Sequence, residues 1–323
     1  MAMSRASYAR RVSFVDAHSH LPLDSDAALA AVEKVGVRIV NICVDSPQLG
    51  GLDAQRGWYR DLLQRHPERF AWVTSFSLDG FGTDGWAKRA IAQLDADFAD
   101  GACGCKVWKN VGMELRDPAT GAFVFCDDER FDAMRAAKSP HLAYYEACPQ
   151  WHWHGRAGVP SHARLIASRD AVCEKHPGLA VVGAHYGSLE FDVGEVAARL
   201  RRFPNFVVDT SARLGDIAIQ AAADREGVRR LFQEFSTRIL WGLDWVQTRP
   251  ASALADGEAA DLLARVAAAY AEERRFFLSD DPAGEPRGLG LDDAIVRRLF
   301  NDNARRVYGV FTDAELISDR STA

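Results

Sequence analysis

Long hydrophobic runs are missing from the sequence. No stretch approaches about 18 consecutive apolar residues, the length that a membrane-spanning helix needs. Residues 1–11 are rich in Ser, Ala and Arg and carry no apolar segment of the kind that defines a secretory signal. Both absences argue against a membrane or secreted protein, so we expect a cytoplasmic one.

A long basic tract is also missing. The 39 Lys and Arg residues and the 45 Asp and Glu residues are evenly mixed, and they give a net charge of −6. A protein that binds nucleic acid typically concentrates positive charge on one face. The charge pattern therefore argues against nucleic acid as the main partner.

Cysteine is scarce, with six residues at positions 43, 103, 105, 126, 148 and 173. Cysteines scattered through so long a chain are more typical of reduced core thiols than of a disulfide framework. Cys103 and Cys105 form a close pair, but no second pair completes a tetrahedral metal site. We expect them to be part of the core.

What the sequence does contain is a repeated alternation of short β-branched runs and Ala/Leu/Arg-rich helical stretches. Hydrophobic residues make up 48% and charged residues 26%, a composition typical of globular proteins. Near-continuously apolar strands that alternate with helices predict a parallel sheet covered on both faces. This leaves a (β/α)₈ barrel or a doubly wound sheet, and one such domain accounts for residues 1–323.

The hydrophobic pattern also predicts where the elements lie. The predicted strands are residues 12–15, 37–44, 70–76, 101–108, 180–185, 206–210 and 238–244. The predicted helices are residues 25–34, 51–66, 84–97, 128–138, 162–176, 195–202, 224–235, 254–277 and 292–308. We expect the last two helices to pack on the outside of the domain.

Polar side chains lie at the C-terminal ends of these strands. They are His18, His20, Lys106, His185, Asp209 and Asp244. In a barrel these ends meet at one mouth, whereas in an open sheet they would be spread along an edge. No Gly-rich phosphate loop follows the first strand, so the main doubly wound signature is absent. The barrel is the favoured fold.

The pair His18-x-His20 is the most specific of these signals. Residues two apart on an extended chain point to the same side, so both imidazoles face one way at the end of the first strand. Two converging imidazoles can hold a divalent metal ion. A surface pair on a loop is the alternative interpretation.

Four ordered motifs together resemble the amidohydrolase superfamily. They are Val15-Asp-Ala-His-Ser-His20, Gly104-Cys-Lys-Val-Trp-Lys-Asn110, Val182-Gly-Ala-His-Tyr-Gly-Ser188 and Ile239-Leu-Trp-Gly-Leu-Asp-Trp245. The resemblance is to the amidohydrolase-2 branch, the metal-dependent TIM-barrel hydrolases and decarboxylases related to aminocarboxymuconate-semialdehyde decarboxylase. It covers nearly the whole chain.

The resemblance implies Zn²⁺ or another divalent metal ion held by His18, His20 and Asp244. It also implies that His185 is a further ligand or the group that polarises the reacting water. A bound divalent ion lowers the pKa of its water, and Asp244 can then accept the proton as general base. A core histidine that donates to a backbone carbonyl is the alternative for His185, and a turn-capping carboxylate is the alternative for Asp244.

The remaining candidate residues surround this set. In some relatives a strand-four lysine is carboxylated and bridges two metals, which is one role that the resemblance implies for Lys106. Stabilisation of charge beside a single metal is the alternative. Arg213 can pair with a substrate carboxylate or lie on the surface. Trp108 and Tyr186, together with Trp245, are candidate walls of the substrate pocket, although core packing predicts aromatic residues there equally well.

One strand of the barrel is hard to find. Only residues 139–160 remain between the predicted helices 128–138 and 162–176, and this segment is broken by Pro and Gly. Strand 5 is therefore predicted to be degenerate or missing, together with the histidine that relatives carry on it. His141, His152 or His154 are possible substitutes. A missing strand exposes two edges, which we expect residues 139–155 or a second subunit to cover, with reduced stability and activity.

The predicted function is a metal-dependent hydrolase that acts on a small carboxylated or cyclic substrate. A non-oxidative decarboxylase of the same family is the first alternative, because the same metal and carboxylate serve either reaction. A catalytically impaired homologue without the strand-5 histidine is the second. A homodimer is the default expectation for the oligomeric state.

Overall fold

A computed structural model of the protein describes residues 14–23, 25–131, 160–247, 252, 256–281, 284 and 287–312. Its strands are β1 (Phe14–His20), β2 (Val37–Ile42), β3 (Phe70–Ser75), β4 (Cys105–Lys106), β5 (Val181–Gly183), β6 (Phe206–Asp209), β7 (Ile239–Leu240) and β8 (Trp245–Val246). All of the strand pairings are parallel.

The helices of the described residues follow the strands along the chain. They are α1 (Asp26–Val35), α2 (Gly51–Arg65), α3 (Trp86–Ala99), α4 (His162–Lys175), α5 (Val193–Arg202), α6 (Leu214–Ala223), α7 (Arg225–Glu234), α8 (Asp256–Leu278), α9 (Asp293–Arg297) and α10 (Asn303–Tyr308). Short helical turns lie at Pro47–Leu49, Asn110–Met113, Glu129–Phe131 and Ala184–Ser188, and a π-helical turn at Arg298–Asp302 joins α9 to α10. At 23 residues α8 is the longest, and neither it nor another described helix combines the length and hydropathy that crossing a bilayer requires.

The strands form two sheets that are joined by one continuous segment. The orders are β4-β3-β2-β1-β8 and β5-β6-β7. Between β7 and β8 the chain stays beside β1, because the Ala17 amide donates to the Trp241 carbonyl at 2.9 Å and the Asp244 amide donates to the His18 carbonyl at 2.7 Å. The last strand segment therefore pairs with the first, as in a barrel. The predicted α/β fold with parallel strands is confirmed.

The ends of α1 show why the sequence folds as predicted at this point. The Ser25 side chain accepts a hydrogen bond from the Ala28 amide and so caps the N-terminus of the helix. Gly36 ends the helix in the left-handed conformation, with φ of 73°, and its amide bonds two carbonyls of the last turn. Glycine adopts this conformation without a steric cost, so β2 can start one residue later.

Three of the predicted strands are shorter than their apolar runs by three residues or more. The run 101–108 forms only Cys105–Lys106, and the run 180–185 ends at Gly183. The run 238–244 leaves the regular β conformation after Leu240 and resumes at Trp245. In the last two cases a residue with a left-handed backbone follows the end of the strand. These residues are His185 and Asp244, which have φ values of 57° and 56°.

No strand lies between Lys106 and Val181 among the residues that the structure describes. Residues 132–159 fall outside them, and so do His141, His152, His154 and most of the predicted helix 128–138. The described part of that helix, Glu129–Phe131, is a single 3₁₀ turn. The degenerate or missing strand 5 remains a prediction.

The closing segment 293–308 packs against the strands that carry the site. The Trp241 amide donates to the Leu299 carbonyl at 3.0 Å, and the Asn303 side chain donates to the carbonyls of Ser236 and Ile239. The Phe300 ring lies 4.7 Å from the Trp241 ring, centroid to centroid. These contacts fix the position of the segment that continues to Asp244.

Candidate metal centre

The two histidines of β1 lie side by side in the interior. Every residue of β1 is buried, and the ring centroids of His18 and His20 are 5.5 Å apart. The pairing of β1 with β2 shifts its register between Asp16 and Ser19, so the strand is irregular where these side chains emerge. The register shift lets the end of β1 turn its side chains towards the mouth.

Asp244 lies opposite the two histidines. Its Oδ1 is 3.4 Å from His18 Nε2 and 3.4 Å from His20 Nε2, while its Oδ2 is 3.7 Å from His185 Nε2. The structure therefore brings together all four residues that the sequence predicts as ligands, from three separate parts of the chain. The Asp244 side chain is 20% exposed, whereas that of His18 is fully buried, so the cluster opens to solvent on the carboxylate side.

The spacing of these groups fits a divalent ion. Ligand atoms of His18, His185 and Asp244 all lie within 4.8 Å of one another. Two donors that bind one ion tetrahedrally at about 2.0–2.2 Å lie roughly 3.3 Å apart, close to the separation of Asp244 Oδ1 from either β1 imidazole. Imidazole and carboxylate are also the donors that zinc and its neighbours in the first transition series accept. The residues therefore fit a metal ion.

Hydrogen bonds set the orientation of both central imidazoles. His18 Nδ1 lies 2.8 Å from Asp209 Oδ2, and His185 Nδ1 lies 2.8 Å from the Ser211 carbonyl oxygen. Because a carbonyl oxygen only accepts, the proton of His185 is on Nδ1. The Asp209 carboxylate likewise favours a proton on His18 Nδ1. Both Nε2 atoms then face Asp244 without a proton. A hydrogen bond from the other ring nitrogen to an oxygen is typical of histidines that bind a metal.

The two alternatives weighed for His185 thus describe its two nitrogens. One nitrogen donates to a backbone carbonyl, as a core histidine does, and the other faces the carboxylate of Asp244.

Ser211 and Asp209 extend this network, and no site role is predicted for either from the sequence. Ser211 Oγ donates to Asp209 Oδ1 at 2.5 Å, and that same oxygen accepts the amide of His185 at 2.7 Å. The sequence places Asp209 at the end of a strand, and this position could have indicated a role in the site. No feature of the sequence indicates that Ser211 lies beside the imidazoles.

Lys106 enters the cluster from β4. Its Nζ is 2.8 Å from His18 Nε2, and the residue is 7% exposed. An ammonium group only donates, so this contact again requires a lone pair on His18 Nε2. Lys106 thus brings a positive charge to the nitrogen that faces Asp244.

The predicted substrate-binding residues lie in different surroundings. Arg213 is 3% exposed, and its Nε donates to Glu190 Oε1 at 3.2 Å. Tyr186 is 1% exposed within the hydrophobic core, and burial raises the pKa of its phenol well above the ordinary value. Trp108 is half-buried beyond β4, with Lys109 Nζ 5.2 Å from its ring centroid. Their role in substrate binding stays a prediction.

Asp16 links the two backbone segments that carry the residues of the centre. It is fully buried and accepts four hydrogen bonds, from the amides of His18 and Leu243, the Ser19 hydroxyl and the Tyr270 hydroxyl. Burial nevertheless raises its pKa to about 6. The carboxylate ties the backbone of β1 to the segment that leads to Asp244, so it fixes the distance between the two sides of the centre.

Several solved structures are similar to this fold. One is 2,6-dihydroxybenzoate decarboxylase from Rhizobium, at 13% identity, with 92% of this chain and 99% of that chain covered and a TM-score of 0.51. Another is 4-oxalomesaconate hydratase from Rhodopseudomonas palustris, at 13% identity, with 95% and 99% covered and a TM-score of 0.50. At this identity the similarity concerns the fold alone. No curated protein matches the sequence significantly.

A family model gives the more specific result. The model described as amidohydrolase, of the amidohydrolase-2 group, matches residues 15–310 and so spans all the strands and the whole centre. The resemblance inferred from the four motifs is confirmed. The chain is therefore a member of the amidohydrolase-2 family.

Proposed function

We propose that this amidohydrolase-2 protein is a metal-dependent hydrolase that acts on a small carboxylated or cyclic substrate. The observation that carries the proposal is the orientation of the two central imidazoles. His18 and His185 both point Nε2 at Asp244, while Asp209 and the Ser211 carbonyl hold their Nδ1 atoms. Lone pairs and a carboxylate that face one another repel unless a cation lies between them. Lys106 Nζ is such a cation beside His18 Nε2, at 2.8 Å, and a metal ion would be another.

The contacts of each residue suggest its role in the proposed reaction. His18, His20, His185 and one oxygen of Asp244 would hold the ion, which when bound lowers the pKa of a water molecule and polarises a carbonyl or carboxylate oxygen. Asp244 Oδ1 faces both β1 imidazoles and Oδ2 faces His185, so its oxygens can serve as ligand and as proton acceptor respectively. The partial exposure of Asp244 leaves it accessible to the substrate.

Lys106 supports a substrate that carries negative charge. Its ammonium group is buried beside His18 and offers an electrostatic partner to a carboxylate or to charge that develops on oxygen. The two solved structures compared above belong to enzymes named for 2,6-dihydroxybenzoate and 4-oxalomesaconate, both of them carboxylates. A panel of small aromatic carboxylates, lactone carboxylates and unsaturated dicarboxylates is the appropriate first screen.

Metal analysis with a histidine variant tests the proposal. The protein is purified without chelators, and its Zn, Mn, Fe and Co contents are measured by mass spectrometry. We expect about one divalent ion per chain, and we expect His18→Ala to lose both the ion and turnover. His66→Ala is the matched control. His66 is the C-cap of α2, and its ring packs on Phe70 instead of on the residues of the centre. Metal content and turnover that survive in His18→Ala would reject the proposal.

Decarboxylation is the second candidate. The observation that favours it is again the buried Lys106 ammonium beside the imidazoles, since the substrate of that reaction carries a carboxylate, which is lost as CO₂ while carbon keeps the bonding pair and takes up a proton. Product analysis separates the two activities: a decarboxylase releases one CO₂ per turnover, and a hydrolase consumes one water without CO₂. A wild-type protein that binds no metal and turns over no member of the panel would instead identify a catalytically impaired homologue.

A further inference from the structure

The segment that presents His185 has an unusual backbone. His185, Tyr186, Gly187 and Ser188 all have positive φ, between 54° and 67°, so the chain makes one left-handed turn directly after β5. For residues with a Cβ this conformation costs roughly 1–2 kcal/mol each. Three of the four residues have one, so the turn persists only where the surrounding structure holds it in place.

Part of that support comes from β6. The His185 amide donates to Asp209 Oδ1 at 2.7 Å, which fixes the start of the turn. The Phe206 ring lies against Gly183, which precedes the turn, and against Gly187 within it. A Cβ added to Gly187 would be 2.8 Å from Phe206 Cζ. These contacts limit where the turn can lie, but they leave its final carbonyl groups to other partners.

Those carbonyl groups are held from α4. Arg169 Nη1 donates to the Gly187 carbonyl, and His162 Nε2 lies 2.9 Å from the Ser188 carbonyl oxygen. Because the carbonyl is an acceptor, the His162 proton is on Nε2. Two successive carbonyls of the turn are thus bound by one helix that lies outside the candidate metal centre.

Arg169 is itself fixed on every side. It is 1% exposed, its guanidinium carbon lies 4.6 Å from the Phe206 ring centroid, and its Nη2 donates to Asp170 Oδ1 at 2.6 Å. Asp170 is held in turn by Arg199. A planar fork that stacks on a ring, binds a carboxylate and donates to a carbonyl is a set of contacts that lysine does not reproduce.

We propose that Arg169 is a positioning residue that sets the orientation of the His185 imidazole through the Gly187 carbonyl. Arg169 contacts neither the imidazoles nor Asp244 in the contacts described above, and acts only through the left-handed turn. The inference rests on the proposed function where it concerns metal affinity. Where it concerns the imidazole itself it stands on the hydrogen bonds alone.

The direct test is the tautomer of His185 in metal-free protein. Long-range ¹H–¹⁵N spectra at pH 7.5 report which imidazole nitrogen carries the proton, and His185→Gln assigns the signal. We expect the Nδ1–H tautomer in the wild type and a mixture of tautomers in Arg169→Ala. If Arg169→Ala does not fold, Arg169→Lys is measured instead, with the same direction expected. An unchanged His185 signal in the variant would overturn the inference.

Arg130→Ala is the matched control. Arg130 also stacks on a ring, with its guanidinium carbon 4.6 Å from the Phe81 centroid, and also binds carboxylates, Asp117 and Asp128. It should leave the His185 signal unchanged even if it lowers the melting temperature. An equal change in both variants would show a general loss of packing and reject the positioning role.

Cobalt titration then extends the test to metal affinity. We expect Arg169→Ala to weaken Co²⁺ binding at least tenfold, Arg130→Ala to change it less than twofold, and Arg169→Ala to have no further effect in a His185→Gln background. An undiminished effect in that background would contradict coupling through His185. A wild type that binds no Co²⁺ would reject the proposed function, while the tautomer spectra would still decide the role of Arg169.

Discussion

The opening strands and the closing strands of this barrel are built differently. The strands β2 and β3 are six residues each and pair with each other in an unbroken register. The strands β5 and β7 are only three and two residues long. Shortly after each strand lies a site residue with positive φ, His185 after β5 and Asp244 after β7. Regular structure therefore dominates where the chain only encloses the core, and irregular structure dominates where it presents the candidate metal centre.

The difference follows from the direction of the side chains. A residue in a regular parallel strand points alternately to the barrel interior and to the helices, perpendicular to the strand. His18 and His20 reach the centre from within β1, whereas His185 and Asp244 lie beyond the ends of β5 and β7, outside that alternation. The left-handed conformations at His185 and Asp244 come at a local cost in backbone energy.

The largest expected difference between the two regions concerns Asp209. We expect Asp209→Asn to lower the metal affinity by about 10–100-fold, because the variant no longer fixes the proton on His18 Nδ1. Asp97→Asn is the control from the opening region, where the buried carboxylate accepts from Thr74 Oγ1 at 2.5 Å and touches no imidazole of the centre. Isothermal titration of both apo-proteins with Zn²⁺ is the measurement, and equal losses of affinity would contradict the comparison.

The second difference concerns pH. Burial, together with repulsion from Asp16, raises the pKa of Glu273 from 4.5 to about 8. Between these values the folded state keeps a proton that the unfolded state has lost, so the free energy of unfolding falls as pH rises, by at most about 1.4 kcal/mol per unit. We expect a loss of roughly 1 kcal/mol between pH 6 and pH 7, which Glu273→Gln removes.

Urea denaturation at both pH values measures this effect. Glu234→Gln is the control, because the neighbouring Arg201 guanidinium holds the pKa of that exposed carboxyl below its ordinary value, out of the range tested. The same pH slope in wild type and Glu273→Gln would assign the titration to another group.

A smaller effect separates the backbone of the two regions. Ala212 is exposed and has a φ of 56°, whereas Ala71 is the second residue of β3 and is buried. We expect Ala212→Gly to raise the free energy of unfolding by up to about 1 kcal/mol, since glycine relieves the left-handed strain. We expect Ala71→Gly to lower it by about 1 kcal/mol or more, since a regular strand gains nothing from that freedom. Thermal melts give both signs, and the same sign for both would contradict the comparison.

The smallest effect is expected at the cysteines of the opening region. Burial raises the pKa of Cys103 and of Cys105 to about 12, so little thiolate forms at neutral pH. We expect neither thiol to be alkylated within an hour at pH 7.5 in the native protein, and both to react after denaturation. Peptide mapping by mass spectrometry gives the extent at each position. Both side chains are partly buried, and rapid native alkylation of either would contradict the expected protection.

The sequence allowed the regular parts of the fold to be predicted closely. The helix 51–66 and the strand 70–76 each differ from the observed element by one residue, because their apolar patterns and flanking breakers are local signals. The convergence of His18, His20, His185 and Asp244 could also be predicted, since strand ends meet at one mouth in this fold. The left-handed turn could not, because Tyr186 and Ser188 are poor candidates for positive φ and are held there by Arg169 and His162 from another helix. The helix α6, absent from the prediction, shows the same limit, because its start at Leu214 has no side-chain cap.

The pairing of β1 with the segment that ends at Asp244 has a consequence for synthesis of the protein. The Asp16 carboxylate and the Leu243 amide that it binds are separated by 227 positions. A ribosome has therefore made most of the polypeptide before the two faces of the centre can meet, and the imidazoles of β1 wait without their carboxylate until then. Contacts between the two faces of the centre therefore cannot guide the early stages of assembly, because Leu243 and Asp244 are made late.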